Sequence, residues 1–142
     1  MGLSTSAATA IIGVAILLSF ELIVAEVIPS ITDTNDSYDL MKKRSLDQIQ
    51  TDINISNVNT PSNASNYDLN ITVKNTGSIS LKTEDFNILV NGTKHDFSCS
   101  KNYLHPEKEV FFNVTNLPGS GSRRLKLITE NGISDYYTYA IS

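Results

Sequence analysis

Four groups of residues in this chain are of types that could do chemistry. His95 and Cys99 stand four apart, and with His105 they offer three side chains able to hold a metal ion. They follow a hairpin-forming run, where a four-residue step does not bring two ligands to one helix face, so incidental histidines and a lone thiol are the plainer reading. The stretch "LPGSGSRRL" sets glycines beside two arginines but lacks the spacing and the Lys-[ST] pair of a phosphate loop, and it reads as a loop entering a strand. Ser4, Ser6 and Ser19 have no partner acid or base that would make a catalytic set. Glu21 is the fourth group: a carboxylate inside an apolar run is a functional flag, and its place near the end of that run points to an interfacial or helix-pairing role. No catalytic, cofactor-binding or metal-ligating residue is expected, and the chain reads as non-enzymatic.

The elements that must position these residues can be read from composition and periodicity. At 142 residues the chain has room for one domain behind an N-terminal segment. Every Lys and Arg lies at or beyond Lys42, whereas Glu21, Glu26, Asp33, Asp36 and Asp39 come before it. The remainder is close to neutral and carries no basic stripe, which argues against nucleic acid as a partner. Cys99 is the single cysteine, so no internal disulfide or cysteine-based metal framework can form.

Asparagine is abundant, and N-x-[ST] sequons occur at Asn35, Asn54, Asn63, Asn70, Asn91 and Asn113. Chance would supply roughly three in such a composition, so six is an excess that predicts an extracytoplasmic, N-glycosylated domain.

Leu3 to Phe20 is uncharged and apolar. As a helix it would span about 27 Å, close to the roughly 30 Å of a bilayer core. Leu3, Ala7, Ile11, Val14, Leu18 and Phe20 are then expected to lie within the membrane, with Glu21 near the far interface. Leu22 to Ile28 could extend the helix into the headgroups, and Pro29 is expected to end or kink it. A secretory signal peptide fits poorly, because there is no basic n-region and "SFELIVAE" does not resemble a cleavage site. Orientation carries a conflict. Lys42, Lys43 and Arg44 argue for a cytoplasmic location of the C-terminal domain, while the sequons argue for the outside. The expectation adopted is that of the sequons.

Residues 1–30 are thus expected to form a transmembrane anchor helix, 31–50 a polar stalk that allows a helix over Ser37 to Ile49, and 51–142 an extracytoplasmic β-domain. In that domain the period switches to two. "YDLNITVKNTG" sets Tyr67, Leu69, Ile71 and Val73 against Asp68, Asn70, Thr72 and Lys74. Asn91-Gly92 between two apolar runs is a hairpin signal, and Asn131-Gly132 is expected to repeat it. With "DINISNV" and "EVFFNVT" this makes about seven short strands, which predicts a mainly β fold, an immunoglobulin-like antiparallel β-sandwich.

The same alternation turns Asn54, Asn70 and Asn113 outward and puts Asn63 and Asn91 in a loop and a turn, all positions able to carry a glycan. It also turns Phe111 and Tyr136 outward. Isolated exposed aromatics are ordinary, but aromatic side chains are also enriched in interfaces, so these two are the candidates for a partner face. "DYYTYAIS" is expected at a sheet edge open to strand addition.

"MGLSTSAATAIIGVAILLSF", a stalk and about a hundred β-forming residues together resemble the archaeal flagellin-like superfamily, in particular the F-type accessory proteins of the archaellum, with the G-type second. "STSAATAII" is similar to an F-type start, and "NITVKNTGS" to the strand and turn of their β-domains. Filament-forming relatives carry a short basic leader ending in Gly. Here Gly2 is present without a preceding Lys or Arg, so a retained helix is expected.

The resemblance implies a single-pass protein of the archaeal cell membrane with its domain outside, between membrane and surface layer. It implies a stator-like anchor that withstands torque, binds surface-layer protein and the G-type partner, and forms a homodimer or hetero-oligomer in contact with lipid. It implies no cofactor. The rival readings are an archaellin- or pilin-like filament subunit and a membrane-tethered extracellular binding module.

Overall fold

The computed structural model describes residues 2–63 and 66–141, with the side chains of Leu3 and Asn63 outside that description. The expectations for Leu3 in the membrane and for a glycan on Asn63 therefore fall on side chains outside the described residues. The chain divides into two units, one ending at Lys43 and the other beginning at Arg44.

The first unit is helical. Helix α1 (Gly2–Leu22) passes into a π-helical turn (Ile23–Val27) and then helix α2 (Ile28–Gln50), whose last turns belong to the second unit. Large apolar side chains stand uncovered all round α1: Ile11 is 70% exposed, Leu17 70% and Phe20 68%. A helix this apolar on every side is unstable in water and needs an apolar solvent or a partner. The hydroxyls of Thr5, Ser6, Thr9 and Ser19 are satisfied within it. Thr5 Oγ1 donates to Gly2 O (2.9 Å), Thr9 Oγ1 to Thr5 O (2.8 Å) and Ser19 Oγ to Ala15 O (2.8 Å), which removes the penalty for taking them out of water. Among the described residues this is the one helix long and apolar enough to cross a membrane.

The expectation that Pro29 ends or kinks the helix is corrected on its first half, since helical structure continues through it to Gln50. A proline lacks the N–H for the bond to residue i−4 and its ring crowds that carbonyl. Here the turn before it is widened: Ile28 N–H donates to Ile23 O, a five-residue step, so the ladder has already loosened where the ring must fit.

The second unit is an antiparallel β-sandwich. Its strands are β1 (Ile53–Asn59), β2 (Ser62–Asn63), β3 (Asn66–Asn75), β4 (Leu81–Lys82), β5 (Asn87–Val90), β6 (Thr93–His95), β7 (Ser98–Cys99), β8 (Tyr103–Leu104), β9 (Glu109–Pro118), β10 (Gly121–Ile128) and β11 (Ser134–Ile141). Among the described residues, one sheet runs β1-β3-β9-β7 with β2 on β3, the second runs β11-β10-β5-β6, and β4 pairs with β8 in a small ribbon.

Alternation decides the core. Leu69, Ile71 and Val73 of β3 and Val110, Phe112 and Val114 of β9 face Ile88 and Val90 of β5 and Leu125 and Leu127 of β10. Each such large side chain contributes roughly 1.5–3 kcal/mol on burial. Phe112 is the centre, with Phe86 stacked on it at 5.3 Å and Phe97 edge-on at 5.2 Å.

Two hairpins differ from each other. Asn91 (φ 50°) and Gly92 (φ 87°) are both left-handed, as a two-residue turn requires. Asn131-Gly132 does not repeat this device. Only Gly132 has positive φ there, Gly132 N–H donates to Thr129 O, and Thr129 N–H donates to Ile133 O. Glu130 adds a third loop residue, which makes a type I turn closed by a glycine bulge.

Candidate interaction surfaces

Where α2 ends, the sandwich begins with a set of hydrogen bonds that ties the last helical turn to two loops. Thr51, 4% exposed, donates through Oγ1 to Asp47 O (2.6 Å) and accepts from Asn131 Nδ2 (2.7 Å), while Gln48 Nε2 donates to Asn131 O (3.2 Å). From the other side the loop after β3 closes in. Thr76 and Gly77 N–H both donate to Asp52 O at 3.0 Å, Ser78 N–H donates to Gln50 O (2.8 Å), and Thr76 Oγ1 donates to Asp52 Oδ2 (2.8 Å).

Gly77 is required by proximity. A Cβ on it would run into the Gln50 carbonyl and the Asp52 backbone nitrogen. The loop is held in turn by Asn75, fully buried, whose Nδ2 donates to Ile79 O (2.7 Å) and Leu104 O (3.0 Å) and whose Oδ1 accepts from Gly77 N–H (2.9 Å). A buried amide is tolerable because both its ends are satisfied. None of these residues stands out in the sequence, although Asn75 continues the inward phase of Tyr67, Leu69, Ile71 and Val73 and is a polar residue on a core face.

The two aromatic candidates lie on different surfaces. Phe111, 59% exposed, stands on the outer face of the β1-β3-β9-β7 sheet, while Tyr136, 47% exposed, stands on the outer face of the β11-β10-β5-β6 sheet. They cannot share one contact. Around Tyr136, Arg124 lies over the ring at 4.5 Å from its centroid and Lys126 at 5.2 Å. Hydrogen bonding from the Lys126 ammonium, with its charge and that of Arg124 behind it, holds the phenol below its ordinary range. Cross-strand register places Tyr136, Lys126, Leu89 and Lys94 in one row. An open depression of about 450 Å³ is lined by Leu89, Asn91, Gly92, Arg124, Lys126 and Tyr136. The outward positions of these strands thus carry Arg124, Lys126 and Lys94 with no carboxylate among them. Edge strand β11 is not wholly open, since Asp135 Oδ2 accepts from Ile55 N–H (2.8 Å) across the gap to β1.

The Phe111 surface has a different chemistry. Asn59, Asn70, Asn113 and Ser98 are register partners in one row across four strands, and Asn113 Nδ2 donates to Asn70 Oδ1. Phe111 pairs with Thr72, and its N–H donates to Ser100 Oγ (3.1 Å). Of the other sequons, Asn54 is exposed on β1, Asn91 is exposed at its turn, and Asn35 is exposed on α2. Ala7, Ile11, Val14, Leu18 and Phe20 are all exposed on α1.

The metal-capable residues are dispersed. His95 sits on β6, Cys99 packs against the core beside β9, and His105 Nδ1 shares a hydrogen bond with Ser80 Oγ (2.7 Å). Among the described residues no three His, Cys, Asp or Glu side chains gather into a metal-holding group.

No family model matches the chain, and no curated protein does. Solved structures do match. The archaellum periplasmic stator protein FlaG from Sulfolobus acidocaldarius aligns over 63% of this chain and 99% of its own, with a TM-score of 0.51 and 19% identity. The archaellum periplasmic stator protein complex of FlaF and FlaG from the same organism aligns over 61% of this chain and 87% of the matched one, with a TM-score of 0.50 and 16% identity. At such identities the likeness is one of fold: this chain has the fold of the archaellum periplasmic stator proteins.

Proposed function

We propose that this chain is an accessory, stator-type protein of the archaellum, of the F or G type. It is held in an archaeal cell membrane by residues 3–28 and presents its sandwich outside, between membrane and surface layer. The observation that carries this reading is a fold shared over 99% of the length of a FlaG stator protein. Two features of the chain support it. Helix α1 is uncovered and apolar on every side, as a lipid-facing anchor must be. The last turn of α2 is tied into the sandwich by bonds from two loops, which lets that turn and the domain move as one body.

The sandwich acts by binding. Its cationic face around Tyr136 is suited to an acidic protein surface, and we assign the surface-layer protein to it. A G-type accessory protein, or a second copy of this chain, is the further partner, and pairing would give two membrane tethers and a higher effective concentration at the surface layer. An enzymatic role has no support in the dispersed His, Cys and acidic side chains.

The test is capture of surface-layer protein by the full chain in detergent. Retention at moderate salt that weakens as salt rises is expected, with about a tenfold loss for Tyr136→Ala, the range of an interface hot spot. Absence of retention at any salt would overturn the assignment.

A further inference from the structure

An exposed phenylalanine on an otherwise amide- and hydroxyl-rich sheet face lacks a cover, and the same strand supplies one two residues on. Phe111 and Asn113 are i and i+2 on β9, so both side chains leave the same face with a separation of about 7 Å. Thr115 completes the N-x-[ST] pattern from the next outward position, and it is exposed. Among the sequons, only that at Asn113 has an aromatic residue two positions before it. Asn35, Asn54 and Asn70 have Asp33, Asp52 and Asp68 there, Asn63 has Pro61, and Asn91 has Leu89.

We propose that Asn113 is the structural N-glycosylation site of this protein and that its first sugar lies flat on the Phe111 ring. The reaction joins Asn113 Nδ2 to the anomeric carbon of a sugar carried on a lipid phosphate. The bond from that carbon to the phosphate oxygen breaks, the lipid phosphate leaves, and the amide gives up one proton. One N–H remains on Nδ2, enough to keep the bond to Asn70 Oδ1 that orients the side chain across the strand pair.

The sugar's C–H face then covers apolar ring surface that water otherwise meets, and its hydroxyls face the row formed by Asn59, Asn70 and Ser98. This surface becomes a glycan-bearing face, leaving the opposite, cationic face for protein contact. The proposal rests on the extracytoplasmic placement proposed above.

Glycopeptide mapping of the full chain, purified in detergent from its native membranes, tests it. A glycan on Asn113 is expected. Thr115→Ala, which removes the sequon but keeps the Asn113–Asn70 pair, is expected to abolish it and lower Tm by several degrees. In a Phe111→Ser background the same Thr115→Ala change is expected to leave Tm nearly unmoved, and Asn113→Gln gives a second unglycosylated form for the comparison. A bare Asn113 beside an occupied Asn54 or Asn91 would overturn the proposal alone. So would an equal Tm loss in both backgrounds, or a protein partner found cross-linked at Phe111. A sandwich protected from protease added to right-side-out membrane vesicles stripped of their surface layer would overturn the placement itself, and the proposal with it.

Discussion

Tyr67 and Tyr139 meet hydroxyl to hydroxyl at 2.9 Å in the core, one from each sheet, with their rings tilted at 59° and centroids 6.2 Å apart. Both are almost fully buried, at 2% and 6% exposure. Tyr139→Phe leaves the Tyr67 hydroxyl without its partner and is expected to cost about 1–3 kcal/mol, the penalty for an orphaned buried hydroxyl. Replacing both by Phe removes the orphan and is expected to recover part of that loss. Urea denaturation of the full chain in detergent would show it, and a double variant less stable than the sum of the singles would refute the pairing.

The same contact makes stability sensitive to alkali. Burial first, and the Tyr67 hydrogen bond second, push the Tyr139 phenol above its ordinary value of 10.0. Unfolded, the phenol loses its proton near pH 10; folded, it keeps it. The unfolded state therefore binds fewer protons above pH 10, and stability falls as pH rises from there. Below that value the contribution is fully present. Tyrosinate absorbance from Tyr139 is expected to appear only together with unfolding, and Tyr139→Phe is expected to flatten the slope.

Glycines at the joint and in the hairpin should respond differently to alanine. Gly92 has φ 87° and open space around its missing Cβ, so Gly92→Ala costs only the left-handed backbone penalty, about 1–2 kcal/mol. Gly77 has backbone of Gln50 and Asp52 in the way, and Gly77→Ala must move the loop or the helix end. A cost of about 1–3 kcal/mol is expected, typical of overpacking. Amide exchange at Thr76, Gly77 and Ser78 should quicken in this variant and remain unchanged in Gly92→Ala.

Val14 lies midway along α1 and is 56% exposed. If the helix spans a bilayer, Val14→Arg should disfavour insertion by about 2.5–3.5 kcal/mol. The fraction resisting alkaline carbonate extraction from membranes should fall sharply. An unchanged fraction would mean that this segment does not sit in lipid.

Much of the sandwich is legible in the chain because alternation has one physical meaning. Tyr67, Leu69, Ile71 and Val73 can bury themselves together only if the strand is extended, and all four are buried. Asn91-Gly92 is equally plain, since two left-handed residues in succession have few other uses. The ribbon of β4 and β8 and the short β7 are not legible, because two residues have no period. Alternation separates inside from outside but does not say which sheet a strand joins, so nothing in the sequence places Phe111 and Tyr136 on opposite surfaces. The helix through Pro29 is hidden for a related reason: the widened turn that admits the ring is a backbone arrangement with no residue signature. The joint at Thr51, Gly77 and Asn131 unites residues up to 80 apart, and its parts look ordinary until the fold closes.

The π-helical turn at Ile23–Val27 also alters how the helix can be addressed by a neighbour. One extra residue within a turn advances everything after it by about 100° relative to an uninterrupted α-helix. It is the geometric equivalent of a skip residue in a heptad seam. A stripe traced down α1 through Ile11, Val14 and Leu18 is therefore offset by about a quarter turn where it continues into α2. A heptad seam running from the apolar segment into the polar one must absorb this offset, and a periodic substitution scan along the helix will lose phase at Ile23.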